Sequence, residues 1–304
     1  MATAGTALGL GWKTARRRSF QLGLMPALIV LASITVAPGL FLLVTSLTPL
    51  NLAVPSTWFD FSYPLGNYVD LMADERFVNS VVVQLHLSTI GVALQLGVGL
   101  SIALLLNVRD AVFFQAVRST FLIPMVLPPI VAALVWKLLY TPDLSPMHRF
   151  LVFIGLPVSS LITNADTALW AIAVADTWQW FPFTMLMVLA ALQMIPDEPI
   201  DAARIDGADR WQLFRWIIFP YIKPALLVAG LFRLIDSFKA FPMIYVLTNG
   251  GPGTATEVTN FYGFQQAFNF SYWGYASAIA TLMLAGAFGL SWLVQRLGWA
   301  GDAR

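Results

Sequence analysis

The sequence of 304 residues contains no cysteine and little charge. Without cysteine there are no disulfides, no thiol catalysis and no cysteine-held metal. Charged residues make up 11% of the chain, against about 25% in a usual soluble domain. Hydrophobic residues make up 58% and the mean hydropathy is +0.74. That much apolar surface cannot be hidden inside a soluble core of this size, so the bilayer is expected to be its solvent. The net charge of +1 gives no general attraction to nucleic acid. No G-x-x-x-x-G-K-[ST] occurs, nor even a Gly-Lys pair, so the chain has no P-loop of its own. H-E-x-x-H and G-x-S-x-G are absent too, which argues against a membrane-embedded enzyme. His86 and His148 stand alone, without ligand spacing, and read as structural. No internal repeat is visible, which argues against a self-sufficient secondary transporter, the alternative class for a polytopic chain.

What is present is a set of six apolar segments, at about 22–47, 80–106, 117–140, 168–194, 224–247 and 273–297. Each exceeds the ~20 residues that cross a hydrocarbon core as a helix. Continuous runs of this length favour helices over the short alternating strands of a barrel. The expected fold class is therefore an all-α integral membrane protein with six transmembrane helices. Arg17 and Arg18 faintly resemble a twin-arginine signal, but the first apolar run is long, has no A-x-A site and precedes further spans. It reads as an uncleaved transmembrane helix. Twelve of the lysines and arginines fall on one side of these spans, among them Lys13, Arg16, Arg17, Arg18, Arg109, Arg118, Arg296 and Arg304, and only Arg76 and Arg149 on the other. By the positive-inside rule both termini are cytoplasmic. The organisation expected is a cytoplasmic N-terminus (1–21), a first transmembrane helix (22–47), an external loop (48–79), a core of five further helices (80–297) and a cytoplasmic tail (298–304). Proline falls inside several spans (Pro124, Pro128, Pro129, Pro182 and Pro242), which predicts bent helices around a cavity or ordinary tolerance of proline.

The connection between the fourth and fifth spans departs from the rest. "PDEPIDAARIDGADRWQLFRWIIFP" is charged and helix-like. Asp197 and Glu198 suit a helix start and Gly207 a helix end. Asp209 suits the N-cap of a second short helix carrying Trp211, Phe214, Trp216 and Ile217, closed by Pro220 and Pro224. Ala202 and Ala203 offer a small-residue face for close packing. The bland reading is a polar connector whose arginines set topology.

The spacing of this block is specific. Asp201-Ala202-Ala203, three residues, Gly207, nine residues, then Ile217-Ile218-Phe219-Pro220 resembles the E-A-A…G…I-x-L-P signature of binding-protein-dependent ABC importer permeases. Asp201 stands for Glu and Phe219 for Leu. "AALVWKLLYTP", "DTWQWFPFTMLMVLAALQMIP" and "FRLIDSFKAFPMIYVLTNGGPGTATE" are similar to its carbohydrate branch, the maltose-, polyol- and glycerol-phosphate-type permeases. The resemblance covers about residues 20–300. It implies the type I ABC importer permease fold, with cytoplasmic coupling helices at 197–220 seated on an ATPase, through Asp201, Ala202, Ala203, Asp206, Gly207, Ile217 and Pro220. It implies two ATPase subunits that hold ATP and Mg, a second and usually different permease subunit, an external solute-binding protein and a sugar-like solute. The resemblance further implies that this chain itself holds no cofactor, is not an enzyme, and lies in a bacterial or archaeal inner membrane among lipid.

Two further groups are candidates for the solute pathway. Trp178, Gln179, Trp180 and Phe181 offer aromatic faces for sugar rings and an amide for hydroxyls, or else form an interfacial aromatic belt. Asp176, Lys137, Arg233, Asp236 and Lys239 are ionisable residues inside predicted spans, where each costs at least about 2.5–3.5 kcal/mol unless it faces protein or water. Arg233, Asp236 and Lys239 follow at intervals of three, which suggests an ion-pair ladder or a polar lining of the pathway. Three cations against two acids permit an anionic solute. Asn249, Gly250, Gly251 and Pro252 resemble the family's external loop that meets the binding protein; a plain turn is the alternative.

Overall fold

The computed structural model describes residues 4–58, 60–107, 112–142, 145–155 and 160–299, and of residues 4–22 the backbone course alone. Arg109 and Arg304, counted above for sidedness, and the end of the expected tail lie outside the described residues. The chain forms helices α1 (Ala4–Ser46), α2 (Gly66–Ala73), α3 (Glu75–Leu106), α4 (Val112–Phe121), α5 (Ile123–Val126), α6 (Pro129–Tyr140) and α7 (Pro146–Phe153). These are followed by α8 (Ala165–Gln193), α9 (Asp197–Ile205), α10 (Arg210–Ser237), α11 (Pro242–Leu247), α12 (Thr259–Phe264) and α13 (Trp273–Trp299). Among the described residues, five helical stretches are long and apolar enough to cross a membrane: 23–46 of α1, α3, α8, α10 and 273–293 of α13.

Two expected spans are corrected. The segment 117–140 is not one helix but α4, α5 and α6, broken around Leu122 and Leu127–Pro128. The segment 224–247 is interrupted at 238–241, so α10 ends at Ser237 and α11 is a separate short helix. The cause is proline. Pro124, Pro129 and Pro242 each occupy a first turn, where the missing N–H costs nothing, and each opens a new helix there. A third correction concerns the block's second helix, which is not closed by Pro220 and Pro224. It is the start of α10, which runs on through both prolines. Residues 213–218 adopt wider i→i+5 turns, and the Phe219 N–H reaches back to the Phe214 carbonyl in that register. Widening of this kind gives a proline ring the room that a regular turn denies it.

The core is α3 against α8. One face of α3 carries Ser80, Gln84, Ser88, Gly91, Gln95 and Gly99, spaced by four or three residues and all buried. Gly99 lets the two helices touch, because a Cβ there would stand 2.6 Å from the Thr184 side chain and 3.0 Å from the Met185 nitrogen. At one end, Leu106, Val188, Leu189, Leu192, Ile195 and Ile222 bury one another beneath the 197–220 block. At the other end, Leu71, Phe77, Tyr262, Ala278 and Ile279 form a second buried cluster.

Candidate functional site

The molecule has polar structure at three levels: the 197–220 block, a central cavity, and the far end.

At the block, α9 ends in a Schellman arrangement. The Gly207 N–H donates to the Arg204 carbonyl at 3.1 Å and the Ala208 N–H to the Ala203 carbonyl at 2.9 Å, with Gly207 at φ +83°. Asp209 then caps α10 in a capping box with Gln212. Asp201 pairs with Arg204 at 3.3 Å, both exposed. Asp201, Ala202, Asp206, Gly207 and Pro220 are exposed, while Ala203 and Ile217 are partly covered. Ile205, Trp211 and Trp216 turn large apolar faces outward, at 86%, 68% and 72% exposure. These turn and cap bonds are local; Ile200, Phe214, Ile218 and Phe219 pack inward on the buried cluster, while Ile205, Trp211 and Trp216 are left uncovered.

The cavity lies midway along α8. It has a volume of about 210 Å³ and is lined by Asp176, Gln179 and Trp180 of α8, by Arg233 and Asp236 of α10, and by Lys239 to Pro242 at the break before α11. Pro129, at the break before α6, completes the wall. Both helix breaks therefore face this space. Irregular backbone at membrane depth persists only where it is buried in protein or lines an aqueous cavity. Here the Leu127 carbonyl, freed by the break, accepts from the Gln179 amide at 3.1 Å.

Arg233 is the most enclosed of the ionisable lining groups. Its Nε donates to Gln95 Oε1 at 2.7 Å and its Nη1 to Asp236 Oδ2 at 2.7 Å. Its Nη2 stands 3.7 Å from Asp176 Oδ2, which also accepts from Gln95 at 2.6 Å. The Trp180 ring lies beneath the guanidinium at 4.4 Å. The expected ladder is thus half built. The Arg233–Asp236 rung forms, but among the described residues Lys239 has no carboxylate within ion-pair distance and is exposed. Lys137 is exposed on α6 and does not line the cavity. Of the aromatic run, Gln179 and Trp180 face the cavity. Trp178 packs edge-on against Trp136 in the core, and Phe181 sits in another cluster against Phe121. A helix turns through about 100° per residue, so four successive side chains cannot share one face. Sequence reasoning missed Gln95, although the polar and small stripe on α3 marks its face.

At the far end the polar contacts are long-range. Arg76, in the first turn of α3, grips Glu257 with two bonds of 2.7 Å and reaches Gln265 at 3.1 Å. Asp74, the N-cap of α3, accepts from the Tyr262 and Tyr275 hydroxyls. Burial alone would raise the Asp74 pKa, but these two bonds and the backbone N–H groups of Phe77 and Arg76 outweigh it and hold it below the ordinary value. Burial, with the bond to Asp74, pushes Tyr262 up to about 12. Residues 249–252 make a tight turn with Asn249 at φ +51° and Gly250 at +85°. Thr256 holds it from within, bonding the Gly251 carbonyl and the Thr248 hydroxyl at 2.7 Å each.

Comparison with known proteins agrees with this architecture. The trehalose/maltose transport system permease protein of Thermococcus litoralis is 37% identical over 218 residues, covering 72% of this chain and 73% of that protein. The trehalose transport system permease protein of Mycobacterium tuberculosis is 31% identical over 274 residues, covering 90% of this chain and 86% of that protein. A crystal structure of a bacterial ABC transporter involved in the import of the acidic polysaccharide alginate has the same fold, with a TM-score of 0.81 at 20% identity over 96% of this chain and 99% of that one. The sequence model for binding-protein-dependent transport system inner membrane components matches residues 95–299, a stretch holding the cavity, the block and the last helix. The chain belongs to that family and has the fold of an ABC importer permease.

Proposed function

We propose that this chain is one half of the membrane pathway of an ATP-driven importer for a neutral, sugar-like solute. The observation that carries the reading is the single helix α10. It begins in the exposed 197–220 block and ends at the cavity with Arg233 and Asp236. At 1.5 Å per residue, about 35 Å of continuous helix separates Arg210 from Arg233. Movement imposed on the block therefore reaches the cavity wall without an intervening hinge.

In this reading the block is cytoplasmic, as are both termini, and docks in a groove of an ATPase subunit that holds ATP and Mg. Asp201, Ala202, Ala203, Asp206, Gly207, Ile217 and Pro220 shape the contact, and Ile205, Trp211 and Trp216 supply apolar area to be buried. Two ATPase subunits, a second permease chain and an external binding protein complete the transporter. Asn249 to Pro252 form a rigid turn on the binding-protein side. Two relatives are named for trehalose transport, and the cavity supports a sugar chemically. Trp180 offers a ring face and Gln179 an amide beside it. The lining charges balance, with Arg233 and Lys239 against Asp176 and Asp236, and Arg233 is already engaged by both acids. That balance favours a neutral solute over an anionic one.

The test is co-purification of the tagged chain from its host, as wild type and as Ala203→Asp. A P-loop ATPase and a second permease are expected with the wild type, and loss of the ATPase alone with the variant. A wild-type chain that comes down alone and still moves sugar would overturn the reading.

A further inference from the structure

At the far end of the bundle a recess of about 420 Å³ lies between the first long loop and the start of α13, away from the central cavity. That volume is within the about 300–1,000 Å³ of small-molecule sites. Its frame is fixed by backbone bonds. Leu52 N–H donates to the Ser271 carbonyl at 3.2 Å and Gly274 N–H to the Leu50 carbonyl at 2.9 Å. The Asn67 amide ties α2 to the Ser46 and Thr48 carbonyls at 2.8 Å each. Tyr262 and Tyr275 line the recess with their hydroxyls committed to Asp74.

Three other lining groups are not committed. The Asp70 carboxylate, the Gln266 amide and the Tyr272 hydroxyl make no side-chain hydrogen bond or ion pair among the described residues. They arrive from three directions. Asp70 stands one turn beyond Asn67 on α2, Gln266 four residues beyond Tyr262, and Tyr272 at the mouth, half exposed. A rigid frame thus presents a carboxylate acceptor, an amide that donates and accepts, and tyrosine rings in one concavity. A cation would need more carboxylates, and an anion would be repelled by Asp70. An uncharged polyol fits: its hydroxyls bond Asp70 and Gln266, and its C–H face lies on the tyrosine rings.

We propose that this recess is a second saccharide site, on the external face of the permease, separate from the cavity at Gln179 and Trp180. It rests on the sugar-importer reading and adds to it a place where solute is held before the pathway opens. The test uses the complete purified transporter in detergent without binding protein, and saturation-transfer NMR with trehalose and maltose as probes. Sugar signals are expected from the wild type and from the cavity variant Gln179→Ala. In the Gln179→Ala background, which leaves the recess as the site read, a fall of about tenfold or more is expected from the double variant Asp70→Ala/Gln266→Ala, the cost of two lost hydrogen bonds. Co-purification of the partner subunits and an unchanged elution position show that the variant is folded, and Tyr272→Phe, which keeps the ring, should retain most of the signal. The proposal is overturned if the double variant keeps full signal, if neither sugar gives signal with the wild type, or if the recess variants weaken only binding-protein affinity, which would assign the recess to that protein. Uptake of labelled trehalose and maltose by cells separates the two readings. Uptake with a silent recess removes the second site alone, whereas no uptake removes the sugar assignment itself.

Discussion

The two ends of the bundle are built by opposite rules. In the 197–220 block the turn and cap bonds named above are local, between residues three to five apart, and Ile205, Trp211 and Trp216 face outward. At the other end, beside shorter ties, three contacts join residues 175 to 201 positions apart: Asn79 with Thr254, Arg76 with Glu257, Asp74 with Tyr275. One end keeps its own shape and leaves its apolar groups for a partner. The other spends its polar groups on holding distant segments of the same chain together. An end that must transmit force to a second protein benefits from a self-contained surface, and an end that must stay assembled while the pathway opens benefits from internal ties.

The contrast can be broken at the point both ends share. Arg233→Ala would strand Asp176 and Gln95 in the interior, and removing one partner of a buried pair costs about 3–5 kcal/mol. The expected outcome is a large fall in the temperature at which the detergent-solubilised protein aggregates, together with loss of uptake. A wild-type thermal profile would mean that the cluster is not the keystone it looks.

The far-end tie comes next. Glu257→Ala leaves Arg76 with Gln265 and the Tyr262 ring and removes two charge-assisted bonds, for about 2–3 kcal/mol. The 248–258 loop should then become sensitive to limited proteolysis while the 197–220 block keeps its protection pattern. Equal loosening of both ends would mean that they are not independent.

At the block the expectation is reversed, with small stability effects and large functional ones. Gly207→Ala forces a side chain into φ +83°, at about 1–2 kcal/mol. Uptake should fall well beyond what the drop in folded protein explains, because the geometry of the turn is also the geometry of the docking surface. Strict proportionality between uptake and folded protein would argue that the block is only a connector.

The smallest effect is acid loosening of the far end. The Asp74 pKa is depressed in the folded chain, so its contribution is present above the ordinary value of 3.8 and is lost as pH falls through the lower folded value. Tyrosine fluorescence from Tyr262 and Tyr275 should change below about pH 3.8. In Asp74→Asn that step should vanish. A transition in the range of pH 5 to 6 would point to a different group.

Much of this was legible in the sequence, and the rest fails for identifiable reasons. Apolar length found the long helices and the charged block, and Gly207 with Asp209 marked the turn inside it. A hydropathy window cannot see a break whose flanks are equally apolar, so α4 to α6 read as one span although Pro124, Pro128 and Pro129 were plainly there. Pro220 misled in the other direction, because the widened turn at 213–218 depends on how the chain packs and not on any one residue. The Arg233 cluster was half visible as a spacing of three along one helix. Its other half, Gln95 and Asp176, comes from two distant helices, and no local pattern on α10 points to them.

The span of the Arg76–Glu257 tie also bears on how the protein is made. The two residues are separated by 181 positions, so Arg76 leaves the ribosome long before its partner exists. Asp74 and Asn79 wait likewise for Tyr262, Tyr275 and Thr254. Contacts of such sequence separation form late, because the loop they close must first be paid in entropy. Sealing of this end is therefore a terminal event of biosynthesis, and a chain cut short before residue 254 would insert its early helices yet leave that end open.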